Sequence, residues 1–279
     1  MLTPFLIDDL IQRALAEDIG TGDITTLSTI PVDKQTAAVL VAKEDGILCG
    51  LPVFTRVYAL LDPQVTVEGL AEEGQRIQKG DRLARIEGPA RGILTGERVA
   101  LNFLQRLSAI ATKTAWAVGQ VEGTGVSITD TRKTTPGLRV LEKYAVRVGG
   151  GSNHRFNLAD GVLIKDNHIQ AAGGITAAVS QARRLAPHTL KIEVEVEDLA
   201  MVDEALACGA DIIMLDNMDQ VAIEAAVARI AGRALIEISG NMGERDLASL
   251  ARTGVDLISI GALTHTVKAL DISLRFDLA

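Results

Sequence analysis

Six short β-prone runs recur from Val126 onward: VSITD, GVLIKDN, KIEVEVE, DIIMLDN, ALIEISG and DLISIGA. Between them lie stretches of helical periodicity such as ITAAVSQARRLA, EDLAMVDEALACG, MDQVAIEAAVARIAG and RDLASLARTG. Each helix returns the chain to its starting side, so strands connected this way pair in parallel. No GxGxxG follows the first run, which leaves little room for a Gly-rich doubly wound nucleotide fold. The pattern therefore predicts an α/β barrel. Six runs rather than eight make that barrel incomplete, or leave strands that the pattern does not reveal.

The polar residues that finish these runs are the second constraint. Asp130, Lys165-Asp166-Asn167, Glu195, Asp216-Asn217, Ser239-Gly240 and Ser259-Gly261 all fall at C-terminal strand ends, where an α/β barrel keeps its active site. Three kinds of group converge there. Arg132, Lys133, His154, Arg155 and Lys165 are cationic, Arg with a fork suited to carboxylate or phosphate and Lys with a movable point charge. In KIEVEVE the period of two puts Glu193, Glu195 and Glu197 on one face of a strand, with Asp216 ending the next. Such carboxylates suit a water-bridged Mg²⁺, sugar hydroxyls or a developing carbocation. The small-residue loops ISGN and SIGAL offer backbone N–H groups as a phosphate cradle. Together these features fit transfer of a phosphorylated sugar to a polyanionic acceptor, with pyrophosphate leaving.

Charge distribution points the same way. The chain has a net charge of −8, yet residues 131–168 hold seven Lys or Arg and two His against the acids Glu142, Asp160 and Asp166. An acidic balance disfavours a general nucleic-acid binder, which needs a broad basic surface. Not all of the local excess belongs to a site. Arg139, Lys143 and Arg147 lie in GLRVLEKYAVRV, where Leu138, Leu141, Ala145 and Val148 form the apolar stripe, so these three read as a solvated or interface face. Glu193 and Glu197 have a structural reading as ion-pair partners, and Lys165 an alternative one as a Schiff-base nucleophile.

The first 110 residues read differently. Segments from Thr36 to Leu94 alternate and are punctuated by Gly, predicting β-hairpins with a helix around 51–61. EEGQRIQKGDRLARIEG is reminiscent of biotinyl/lipoyl-type hammerhead domains but lacks their modified-Lys tripeptides, leaving a small sheet-rich domain. An N-terminal amphipathic helix carries Leu6, Ile7, Leu10, Ile11, Ala14 and Leu15 on one stripe, with Thr3-Pro4 as its start and Gly20 as its end. It lacks the basic region of a signal peptide. GDITT reads as a turn with capping hydroxyls. A long helix is predicted over 94–121. Cys49 and Cys208 have no ligand spacing and read as small hydrophobes. No run reaches the roughly 18 apolar residues of a membrane span, so a cytoplasmic protein is expected.

TRKTTPGLRVLEKYAVRVGGGSNHR, LIKDNHI, IEVEVE, MLDN, EISGN and SIGALTH, in this order, resemble the quinolinate phosphoribosyltransferases, and EDIGTGDITT and ERVALNFLQRLSAIAT extend the likeness over nearly the whole chain. The resemblance implies an N-terminal α/β sandwich domain (1–110), an incomplete, TIM-like α/β barrel (111–266), and a closing segment (267–279) that returns to the first domain. It implies that quinolinate and phosphoribosyl pyrophosphate give nicotinate mononucleotide, CO₂ and pyrophosphate, with Mg²⁺. Arg132, His154, Arg155 and Lys165 match the positions that hold the quinolinate carboxylates. Lys133 matches the pyrophosphate side, and Lys133, Lys165, Glu195 and Asp216 form the implied catalytic set. Glu195 and Asp216 match the ribose and metal positions; Ser239, Gly240 and Gly261 match those at the 5′-phosphate. Arg98 matches an arginine inserted into the neighbouring subunit's site, which implies a homodimer. Paralogues related to molybdenum transport and nicotinate phosphoribosyltransferases offer other acceptors, and a Lys165 aldolase or a non-catalytic anion binder remain rival readings. The paired motifs TRKT and NHR favour a dicarboxylate.

Overall fold

The computed structural model describes residues 2–276. The chain forms two compact units. One takes the residues up to 115, 135–150 and those from 266 on; the other takes 116–134 and 151–265.

The first unit is built on a four-stranded antiparallel sheet, in the order Ile272–Phe276, Gln35–Ala42, Arg82–Pro89, Thr66–Gly69. Alternation assigns its inner face. Register places Leu40 opposite both Ala84 and Leu274, Ala38 opposite Ile86, and Ala42 opposite Ile272, and all of these are buried. Helices Pro4–Ile19, Ile24–Thr29, Leu51–Leu61, Arg139–Val148 and the start of Ala90–Gln120 complete the unit. Ile7, Ile11 and Leu15 of the first helix are buried, whereas Leu6 is half exposed. Pro4 opens that helix, but the Thr3 hydroxyl makes no cap. Segment 22–26 is more than a turn: Asp23 Oδ1 accepts the Thr26 N–H at 3.0 Å and caps Ile24–Thr29.

Two features of this unit depart from the sequence-based expectations. The cationic segment after residue 134 belongs here rather than to the barrel. Its helix Arg139–Val148 runs close to the long helix: a Cβ on Gly149 would lie 2.5 Å from the Ala111 carbonyl oxygen. Lys143, read above as part of a solvated or interface face, is buried, while Arg147 is exposed. The fully buried Glu142 accepts Arg106 Nε at 2.9 Å and the Thr135 N–H at 3.0 Å, an arrangement that offsets its desolvation.

The second unit is a six-stranded, all-parallel sheet in the order Ser127–Thr129, Leu257–Ser259, Leu235–Ser239, Ile212–Asp216, Ile192–Val196, Val162–Ile164. These are the six runs of the sequence pattern. The first strand lies beside the last, and Ser152 adds a parallel bridge to its other side at Thr129, giving an incomplete α/β barrel. One face of the strands carries Ile192, Val194, Val196, Ile213, Leu215, Ile236, Ile238 and Ile258, all buried apolar positions. The other face carries Leu163, Glu193, Glu195, Met214, Asp216, Glu237, Ser239 and Ser259. Cys49 is buried and Cys208 half-buried, both free thiols. No helix among the described residues is long and apolar enough to cross a membrane.

Candidate active site

Strand register brings the polar residues together along the C-terminal edge of the barrel. Lys165 follows the Val162–Ile164 strand and starts the Asp166–Ala172 helix. Its Nζ is ion-paired with Glu195 Oε2 on the adjacent strand. The Lys165 backbone N–H donates to His168 Nδ1 at 3.1 Å, fixing the point at which the chain leaves the sheet.

Asp216 lies beside Ser239 in register. Its Oδ2 accepts from Asn217 Nδ2 at 2.6 Å, and the Asn217 N–H donates to the Ser239 carbonyl at 3.1 Å, tying the two strand ends. Gly240 has φ +95°, and a Cβ there would lie 2.2 Å from Asn217 Oδ1. Backbone strain and space thus both require glycine. Lys133 and Gly261 meet as well. A Cβ on Gly261 would reach to 2.9 Å from Lys133 Cδ, and Thr264 Oγ1 donates to the Lys133 carbonyl at 2.7 Å.

The cationic cluster rests on a buried acid. Asp130, fully buried, accepts the His154 N–H at 2.9 Å and Asn153 Nδ2 at 2.6 Å, which orders the loop after the glycine turn. Arg155 donates from Nη1 to the Gly161 carbonyl at 3.2 Å. Burial and the neighbouring Arg132 guanidinium lower the Arg155 pKa from its ordinary value, with Glu193 opposing the shift. Neighbouring guanidinium groups of this kind favour an anionic ligand.

Under this cluster the His154 ring is held at both nitrogens. Nδ1 accepts the Arg155 N–H at 2.8 Å. Nε2 lies 3.2 Å from Glu193 Oε2 and 3.6 Å from Glu237 Oε1. Burial and Glu193 push Glu237 up to about 7, with His154 pulling the other way.

The geometry thus joins Lys165 with Glu195, Asp216 with Ser239 and Gly240, Lys133 with Gly261, and Arg132 with His154 and Arg155. Arg98 belongs to the first unit and is exposed on the long helix. Glu197 lies beyond the strand and is exposed. Three residues went unassigned by sequence reasoning. In the sequence Asp130 is marked only by its place at a strand end. Asn217 has a positive φ of 54°, a conformation that asparagine tolerates better than most residues. Glu237 was visible only as the acid in IEIS, two residues before Ser239.

Family models for the quinolinate phosphoribosyl transferase C-terminal and N-terminal domains match residues 110–275 and 23–108. The chain belongs to this family. It is 45% identical over 270 residues to the probable nicotinate-nucleotide pyrophosphorylase [carboxylating] of Bacillus subtilis, covering 97% of this chain and 93% of the relative. It is 46% identical over 273 residues to the protein of the same name from Synechocystis sp., covering 97% and 92%. The crystal structure of NadC from Streptococcus pyogenes superposes with a TM-score of 0.93 at 48% identity, covering 99% of both chains. In this quinolinate phosphoribosyl transferase family member, the C-terminal-domain match contains the whole barrel constellation described above, and Arg98 falls within the N-terminal-domain match.

Proposed function

We propose that the protein transfers phosphoribosyl from phosphoribosyl pyrophosphate to quinolinate with decarboxylation, giving nicotinate mononucleotide, CO₂ and pyrophosphate for NAD biosynthesis. The observation that carries this reading is the convergence at one barrel edge of a crowded cationic cluster, a Lys–carboxylate pair and a glycine-bounded cradle. Arg132, His154, Arg155 and Lys165 hold the two quinolinate carboxylates. Ser239, Gly240 and Gly261 receive the 5′-phosphate through backbone N–H groups. Lys133, packed on Gly261, faces the pyrophosphate.

C1′ gains oxocarbenium character as pyrophosphate departs, and Glu195 and Asp216 stabilise the developing positive charge. The pyridine nitrogen attacks C1′ and becomes quaternary. That positive nitrogen stabilises the electron pair left on the adjacent ring carbon when its carboxylate leaves as CO₂, and the carbon then takes a proton from solvent. No general base is needed, because the attacking nitrogen carries no proton. Glu195 and Asp216 are hard oxygen donors on neighbouring strands, both half-buried rather than sealed, a donor set that fits Mg²⁺ held through water. When bound, Mg²⁺ neutralises charge on the leaving group. The Schiff-base alternative is disfavoured because Lys165 faces a carboxylate rather than the apolar or cationic surroundings that free an amine.

The active form is a homodimer in which Arg98 serves the neighbouring subunit's site, and the enzyme is cytoplasmic. Protein incubated with Mg²⁺, phosphoribosyl pyrophosphate and quinolinate is expected to yield nicotinate mononucleotide. No product, or equal activity with nicotinate, would contradict the assignment. Inactive Arg98→Ala and Lys165→Ala variants are expected to regain partial activity when mixed. Background activity after demonstrated subunit exchange would remove Arg98 from the shared site.

A further inference from the structure

The barrel interior holds a pair of acids that the reaction above does not use. Glu193 and Glu237 project from strands Ile192–Val196 and Leu235–Ser239, both buried. One oxygen of each, Glu193 Oε1 and Glu237 Oε1, is buried with no hydrogen-bond partner among the described residues. With His154 the two acids form a cluster whose ligand atoms lie within 4.8 Å of one another. All three side chains line a cavity of about 550 Å³. Ile212 and Leu257, also in its lining, begin their strands, so this cavity reaches toward the end of the barrel opposite Lys165, Asp216 and Ser239. The acids therefore share this cavity with His154 and Arg155 of the cationic cluster.

Burying two carboxyls with orphan oxygens costs stability, and an apolar pair of similar size would fill the same space more cheaply. Their use therefore lies in what they touch. A divalent metal is the first possibility for one imidazole and two carboxylates, but the ring orientation argues against it. Nδ1 accepts the Arg155 N–H, so in the neutral ring the proton sits on Nε2. Nε2 then presents an N–H, not a lone pair, to the two acids. Burial, with Glu193 beside it, pushes Glu237 up from its ordinary value.

We infer that Glu193 is a positioning residue that receives the His154 Nε2–H, with Glu237 backing it from the next position in the cluster, so that the imidazole and its neighbour Arg155 are fixed for the carboxylates of the acceptor. The inference deepens the proposed function and rests on it. Glu193 Oε2 lies 3.2 Å from Nε2, within reach of its N–H, and Glu193 also opposes the Arg132–Arg155 repulsion. Glu237 Oε1 lies 3.6 Å from the same nitrogen, too far for a hydrogen bond but close enough to favour its N–H electrostatically. A positioning role of this kind acts on acceptor binding and leaves the phosphoribosyl pyrophosphate side alone.

The test combines calorimetric quinolinate binding with side-chain ¹H–¹⁵N correlation spectra. The chain has only 4 histidines, and His154→Asn assigns the one of interest. Wild type is expected to show a single Nε2-protonated tautomer for His154. In Glu193→Gln the amide offers both a donor and an acceptor, so the pattern should move toward tautomer exchange. The quinolinate Kd should rise about tenfold, the size expected for weakening a charge-assisted hydrogen bond. Affinity for phosphoribosyl pyrophosphate should stay within about twofold, since no cradle group is touched. Glu237→Gln, isosteric with the protonated acid, should rescue the spectral pattern and most of the affinity that Glu237→Leu loses. The inference is overturned if Glu193→Gln keeps either the wild-type pattern or the wild-type quinolinate Kd. It is also overturned if added Co²⁺ gives a visible absorption band that Glu237→Gln abolishes, since that would make the cluster a metal site. Wild-type protein that makes no nicotinate mononucleotide would instead refute the functional reading, and the His154 spectra still report on the ring.

Discussion

The two sheets use the same period of two for opposite purposes. In the antiparallel sheet of the first unit, the inner face is apolar: Ala38, Leu40, Ala42, Ala84, Ile86 and Ile272 fill it, and the burial holds the unit together. In the barrel, the apolar set is one face and the other bears Glu193, Glu195, Asp216, Glu237 and Ser239. Barrel interiors are ordinarily filled by branched apolar side chains. Here one face carries the stability and the other the chemistry, which makes the two faces separable by mutation.

The largest effect is expected on the polar face. Lys165→Ala should lower kcat by about 10²–10³, as removal of one preorganised electrostatic group does. Stability should change by about 1 kcal/mol or less, because the pair is partly exposed. Steady-state kinetics alongside denaturant unfolding checks both, and a large loss of stability would break the division of labour. On the apolar faces the pattern should invert. Ile238→Ala in the barrel and Leu40→Ala in the first sheet, both fully buried, should each cost about 2–5 kcal/mol in unfolding free energy. Substrate affinities of the folded fraction should remain near wild type.

Gly240→Ala falls between these cases. The positive φ and the contact with Asn217 should cost about 1–3 kcal/mol of local strain. The expected readout is a raised KM for phosphoribosyl pyrophosphate with little change for quinolinate. Glu197→Gln should be the smallest, within about 0.5 kcal/mol in stability and without change in turnover, because Glu197 continues the alternation of its strand into solvent.

What was legible in the sequence follows the same division. The six barrel strands and the helix at Leu51–Leu61 were legible because local patterning determines them. Strand-end residues such as Lys165 and Asp216 were legible because position relative to a strand is itself local. Information carried by pairing was not. The partner of the Arg139–Val148 helix is set by close approach to Ala111, which its own stripe does not encode, so Lys143 was misjudged. Glu237 needed the register that sets it beside Met214 and, one strand further, Glu195. Only then do IEIS and IEVEVE become one face, with His154 resting on it.

The central claim is that this barrel edge joins the pyridine nitrogen to the sugar before the carboxylate leaves. Quinolinate labelled with ¹⁴C in the carboxylate adjacent to nitrogen, supplied with and without phosphoribosyl pyrophosphate, tests it directly. The account expects one ¹⁴CO₂ per nicotinate mononucleotide formed and none when the sugar donor is omitted. Release of ¹⁴CO₂ without the donor, or mononucleotide formed with the label retained, would contradict it.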